Sequence, residues 1–129
     1  MPPATSATAA NSSPVRVLFA TSECAPLVKT GGLGDVSAAL PAALARLGVD
    51  MRMLLPAYRR VLAQMSGYRE LARFAPSAGL PASRLLQGKT TSGVPLYLLD
   101  CPEFYDRPGG LYQHKTASDS SDNALRIGL

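Results

Sequence analysis

Apolar residues fall into short runs punctuated by glycine and proline, and the runs alternate between two periods. Residues 15–20, VRVLFA, are apolar throughout except for Arg16. An uninterrupted run of this length predicts a strand buried on both faces, as in a parallel sheet covered on both sides. Residues 21–33 read as a loop. From there Leu33, Val36, Leu40, Leu44 and Leu47 recur at helical spacing and form one apolar face. They predict a helix from about residue 33–35 to Leu47. Asp35 lies in its first turn, where negative charge is favoured. Gly48 is placed to end it. Pro41 removes one backbone bond, but the stripe continues through it, so a bent helix is expected.

Residues 49–55, VDMRMLL, predict a second strand. Strand, helix and strand with a short turn after the helix make a βαβ unit, with parallel strands and a right-handed crossover. Pro56 then opens an expected helix to about Met65. The pattern weakens between Gly67 and Gly88. Residues 69–74 are strand-like, and the Pro/Gly pieces of 76–81 mark a loop. Residues 94–99, VPLYLL, predict another strand, and 100–111, DCPEFYDRPGGL, a loop. A last helix is expected near Asp122, capped by Ser120 or Ser121. Leu125 and Leu129 lie on one face of it, with no stop signal after them, so the expectation is the front part of a longer protein. Residues 1–14 are Ala, Ser, Thr and Pro without a charged side chain, and are expected to be a disordered tail. They lack the basic start and apolar middle of a secretory signal, and the arginine usual in a transit peptide.

Composition narrows the class. The chain has 129 residues, of which 47% are hydrophobic, enough for the core of one domain. Aromatics are 6% and tryptophan is absent, so the core is expected to be aliphatic. This suits an α/β fold. No apolar run is long enough to cross a bilayer. The formal charge of +4 comes from scattered basic residues without an aromatic stripe, which argues against nucleic acid. Cys24 and Cys101 could pair, but without a secretory signal two reduced thiols in the cytoplasm fit better. Two cysteines and His114, without ligand spacing, do not make a zinc site. No metal or cofactor is expected.

The candidate chemistry lies between the first strand and the first helix, at Lys29-Thr30-Gly31-Gly32-Leu33-Gly34. Backbone N–H groups at a helix start lack intrahelical partners and carry partial positive charge. Glycines allow an anion close to the backbone, and Lys29 adds a full charge. Two nucleotide motifs fit poorly. A dinucleotide fingerprint would need a third glycine where Ser37 stands, and an acidic residue where the second strand ends in Leu55-Pro56. A P-loop needs its lysine after the glycines.

The run SECAPLVKTGGLGDV, followed by ALPAALARLGVDMRMLLPAY, closely resembles the start of the bacterial glycogen synthase and plant starch synthase family. The matching positions are Ser22, Glu23, Pro26, Lys29, Gly31, Gly32, Leu33, Asp35 and Val36. Residues 104–110, FYDRPGG, and 122–126, DNALR, are similar to later family segments. Gly34 stands where alanine is common, and 114–121 match poorly.

The resemblance implies an α/β fold, the N-terminal part of a doubly wound, Rossmann-like parallel-sheet domain of a two-domain GT-B-type glycosyltransferase. Residues 15–129 would be part of that domain, with the second, nucleotide-binding domain absent. It implies transfer of glucose from ADP-glucose to the non-reducing end of an α-1,4-glucan, with retention. Lys29 would approach the donor diphosphate, and Gly31 and Gly32 would bring backbone donors close to the phosphate or sugar. Asp35 would cap the helix or hydrogen-bond near the sugar. Tyr105 and Asp106 would line the acceptor side or hold their own loop together. The family's essential acidic residue and an important histidine lie further along, so no catalytic residue and no turnover are expected of this chain alone. The rival class is a non-catalytic module that binds a nucleotide or sugar phosphate.

Overall fold

The computed structural model describes residues 13–105. The elements are β1 (Arg16–Ala20), α1 (Gly32–Arg46), β2 (Asp50–Pro56), α2 (Arg59–Gln64), β3 (Arg69–Phe74), β4 (Ser83–Lys89), β5 (Pro95–Asp100) and α3 (Pro102–Tyr105). The strands form one sheet in the order β1-β2-β5-β4-β3. The expected tail, the DRPGG part of the late segment, His114 and the helix near Asp122 lie outside the described residues.

The βαβ expectation holds. β1 and β2 are parallel neighbours, with Val17 opposite Met51 and Phe19 opposite Met53, and α1 connects them. β5 joins the other side of β2, also parallel. The three apolar runs are therefore the parallel half of the sheet. The other half departs from the expected parallel sheet, because β3 and β4 are antiparallel to each other and β4 to β5. Their connections are too short to hold a crossover, so each must reverse as a hairpin. Thr90 and Val94 close one reversal by a 2.9 Å backbone bond. In the other, Ser77 and Leu80 exchange two backbone bonds across Ala78 and Gly79, both at positive φ.

Three expected boundaries move. The second strand runs on through Pro56, and the helix after it begins only at Arg59. Residues 102–105, expected as loop, form a single helical turn. β4 has no clear sequence signature.

The first helix is one unbroken element through the buried Pro41. Its buried face is the opposite of what the leucine spacing suggests. Gly34, Ser37, Pro41 and Ala42 are buried, while Leu33, Val36, Leu40 and Leu47 are exposed. Only Leu44 of the stripe packs against the core, together with Ala38. The buried face is thus the one with the smaller residues Gly34, Ser37 and Ala42 beside Pro41. The core is aliphatic at its centre, with Met53, Leu55, Leu86, Leu96 and Leu98 almost fully buried. Tyr58, Phe104 and Tyr105 close it at one side.

Candidate functional site

The loop from β1 to α1 leaves the carboxyl end of a parallel strand, where open α/β sheets place their ligands. Its 21–31 stretch has no repeating structure but is fastened at several points. Cys24 and Val28 exchange two backbone bonds of 2.9 and 3.0 Å. The Ala25 N–H donates to the Gly34 carbonyl at 3.0 Å. The Thr21 and Ser37 hydroxyls lie 2.9 Å apart. The Tyr58 hydroxyl donates to the Ser22 carbonyl at 2.9 Å, and Gln64 Nε2 to the Leu27 carbonyl at 2.7 Å. α1, α2 and, through the Leu54 carbonyl that accepts from the Thr21 N–H at 3.0 Å, β2 thus all grip one loop. Cys24 is free and buried, and burial pushes its thiol pKa up, so it is held as the neutral thiol. Cys101 is also buried.

The glycine turn opens α1. Gly31 is its N-cap and has no side chain to offer, and no side-chain hydrogen bond forms from that position. The acceptor comes from Glu23. Its Oε1 accepts from the N–H groups of Gly34 at 2.9 Å and of Thr30 and Gly31 at 3.3 Å. Its Oε2 accepts from the Thr30 hydroxyl at 2.7 Å. Glu23 is 2% exposed. The picture of an unsatisfied turn open to any anion is therefore corrected, since a carboxylate of the chain itself takes three of those donors. Among the described residues, no side-chain acceptor reaches the N–H of Gly32 or Leu33.

Asp35 does not cap the helix with its side chain. Its Oδ2 lies 2.8 Å from Lys29 Nζ, and both side chains remain about half exposed. Lys29 is held at the helix start but accessible. Gly34 is a glycine for a packing reason. A Cβ there would meet Lys29 Cγ at 2.9 Å and Glu23 Oε1 at 3.2 Å. Gly31 and Gly32 are different. A Cβ on either would meet nothing within 4 Å, and neither has positive φ. Among the described residues, neither packing nor backbone strain requires glycine at these two positions.

Tyr105 is placed by α3 and is 2% exposed. Its ring meets Tyr58 edge to face at 5.6 Å and Phe104 at 6.1 Å. Through Tyr58 it backs the loop that carries Glu23. The turn thus brings Lys29, Gly31, Gly32 and Asp35 together, while Tyr105 stands behind the loop.

Sequence reasoning assigned Glu23 no role. The signal was available: a helix start without Ser, Thr, Asp or Asn at the cap needs an acceptor from elsewhere. A cleft of about 620 Å³ lies at another place, lined by Leu27, Met65, Arg69, Gly88 and Lys89 among others, and includes none of the expected site residues. No group of metal-ligating side chains occurs among the described residues. No helix among them is long and apolar enough to cross a membrane.

Comparison with known proteins gives a consistent picture. The starch synthase catalytic domain family matches over residues 16–129. A glycogen synthase of Aromatoleum aromaticum is 56% identical over 115 residues, covering 89% of this chain and 23% of that protein. One of Dechloromonas aromatica is 58% identical over 120 residues, covering 91% of this chain and 24% of that protein. The catalytic domain of starch synthase IV from Arabidopsis thaliana, solved bound to ADP and acarbose, superposes with a TM-score of 0.63 at 28% identity. That match covers 80% of this chain and 22% of the Arabidopsis chain. The chain therefore spans about a quarter of the length of the curated relatives it matches.

Proposed function

The chain belongs to the starch synthase catalytic domain family, and from that premise we propose that its glycine turn receives the diphosphate of ADP-glucose during retaining transfer of glucose to an α-1,4-glucan. The residues act within a GT-B-type enzyme of two α/β domains, in the cytoplasm. Residues 15–129 supply part of the first domain.

The observation that carries this reading is the open space in front of Gly31 and Gly32. Two glycines that packing among the described residues does not need make sense if an outside group comes close to their backbone. Lys29 Nζ stands beside them, accessible and paired with Asp35. As the bond between sugar and phosphate breaks, negative charge grows on the leaving diphosphate. A lysine already in place stabilises that charge without reorganisation. Asp35 keeps Lys29 at the turn until the phosphate replaces it as partner. Tyr105 supports the loop from behind through Tyr58. The ADP and acarbose in the Arabidopsis relative agree with a nucleotide and a glucan meeting in this fold. The proposal assigns no catalytic acid to the described residues.

The test uses a chimaera in which this chain replaces the matching 120 residues of the Dechloromonas aromatica synthase. Lys29→Gln is expected to lower kcat/KM for ADP-glucose by about 100-fold, the scale of losing one preorganised charge-stabilising donor. Unchanged donor saturation and turnover would overturn the proposal.

A further inference from the structure

The buried carboxylate of Glu23 has a place in this reading beyond holding the fold. A simple cap would need only a serine or aspartate at position 31. Here the acceptor reaches in from the preceding loop and is 2% exposed. Burying a carboxylate is costly unless donors surround it, and Glu23 has the four from Thr30, Gly31 and Gly34. It occupies the spot at the helix start where an incoming anion would otherwise settle.

Two consequences follow for a ligand. The donors that Glu23 takes are withdrawn, so a phosphate meets the N–H groups of Gly32 and Leu33 rather than those of Thr30, Gly31 and Gly34. The path of residues 29–34 is also fixed by that one carboxylate. The position a Cβ would take on Gly34 lies 2.9 Å from Lys29 Cγ and 3.2 Å from Glu23 Oε1. The lysine stem therefore crosses the helix start directly beside the carboxylate, and the place of its ammonium depends on Glu23 holding the turn.

We infer that Glu23 is a positioning residue for the donor diphosphate, acting through the 29–34 turn without touching substrate. The inference rests on the proposed role of the turn. In the same chimaera, Glu23→Ala is expected to raise KM for ADP-glucose by about tenfold or more, the scale of a lost charge-assisted hydrogen bond. Glu23→Gln keeps an oxygen for the three N–H groups and a side-chain amide toward Thr30, and should stay within about threefold of the parent KM. Ser37→Ala removes a buried hydroxyl bonded to Thr21 and serves as the structural control, with lower thermal stability and unchanged KM. If Glu23→Ala does not fold, Glu23→Asp answers instead. Its carboxylate is one methylene shorter and should drag the turn back, raising KM severalfold. An unchanged KM in Glu23→Ala or Glu23→Asp overturns the inference, as does a Gln variant as impaired as Ala. If Lys29→Gln raises KM while these variants do not, only the role of Glu23 falls. If Lys29→Gln has no effect, the reading of the turn falls first.

Discussion

At the glycine turn an acid organises the backbone, whereas at the hairpin edge of the same sheet acids and bases hold each other. Glu23 accepts from three backbone N–H groups, and Lys29 is left half exposed. On the other side, Arg84 lies 2.5 Å from Asp100 and 3.7 Å from Glu70, and Arg73 lies 2.9 Å from Glu70. Asp100 raises the pKa of Arg84 through their hydrogen bond, so the guanidinium stays charged. The difference teaches what marks a site in a chain of modest charge. It is a cation paired with an exposed acid, Asp35, at a helix start whose backbone donors a second, buried acid holds in place, and the number of charges does not reveal it.

Two substitutions sharpen that contrast, the larger first. Asp100→Asn removes a charge whose side chain is only 7% exposed, and should cost about 1.5–3 kcal/mol in urea unfolding. Donor KM in the chimaera should not move. A donor effect as large as that of Lys29→Gln would break the separation of the two regions. Gly32→Ala should raise stability where Asp100→Asn lowers it, and should move the donor KM that Asp100→Asn leaves alone. Alanine suits a helix better than glycine, so stability should rise by up to about 1 kcal/mol. Its methyl group enters the space kept open in front of the turn, so donor KM should rise. A more stable variant with unaltered KM would mean that no ligand comes close there.

Much of the parallel half was legible in sequence because its strands are rich in apolar residues, but the expected burial of the first strand on both faces is corrected: β1 lies at the sheet edge with Leu18 exposed. β1, β2 and β5 were each expected as strands, and the parallel pairing of the first two followed from the helix between them. β4 was not legible. SRLLQGK alternates too weakly, and among its residues only Leu86 is fully withdrawn from solvent. The period of the first helix was read correctly and its buried face was not. The leucine stripe is the stronger hydrophobic signal, but the face with Gly34, Ser37 and Pro41 is the buried one. At the site, a local motif revealed Lys29 and the glycines. The Glu23 bonds span up to eleven positions, and no periodicity reports a contact of that kind. Asp106, like His114, lies outside the described residues.

The fastened stretch between β1 and α1 has a consequence for how the molecule exchanges hydrogen with solvent. The amides of Cys24, Val28 and Gly34, all buried, are engaged by acceptors from within the loop or its flanks. They should trade protons for deuterons on the slow timescale of the sheet rather than that of an ordinary surface segment. An irregular connector then opens only when the strands themselves let go.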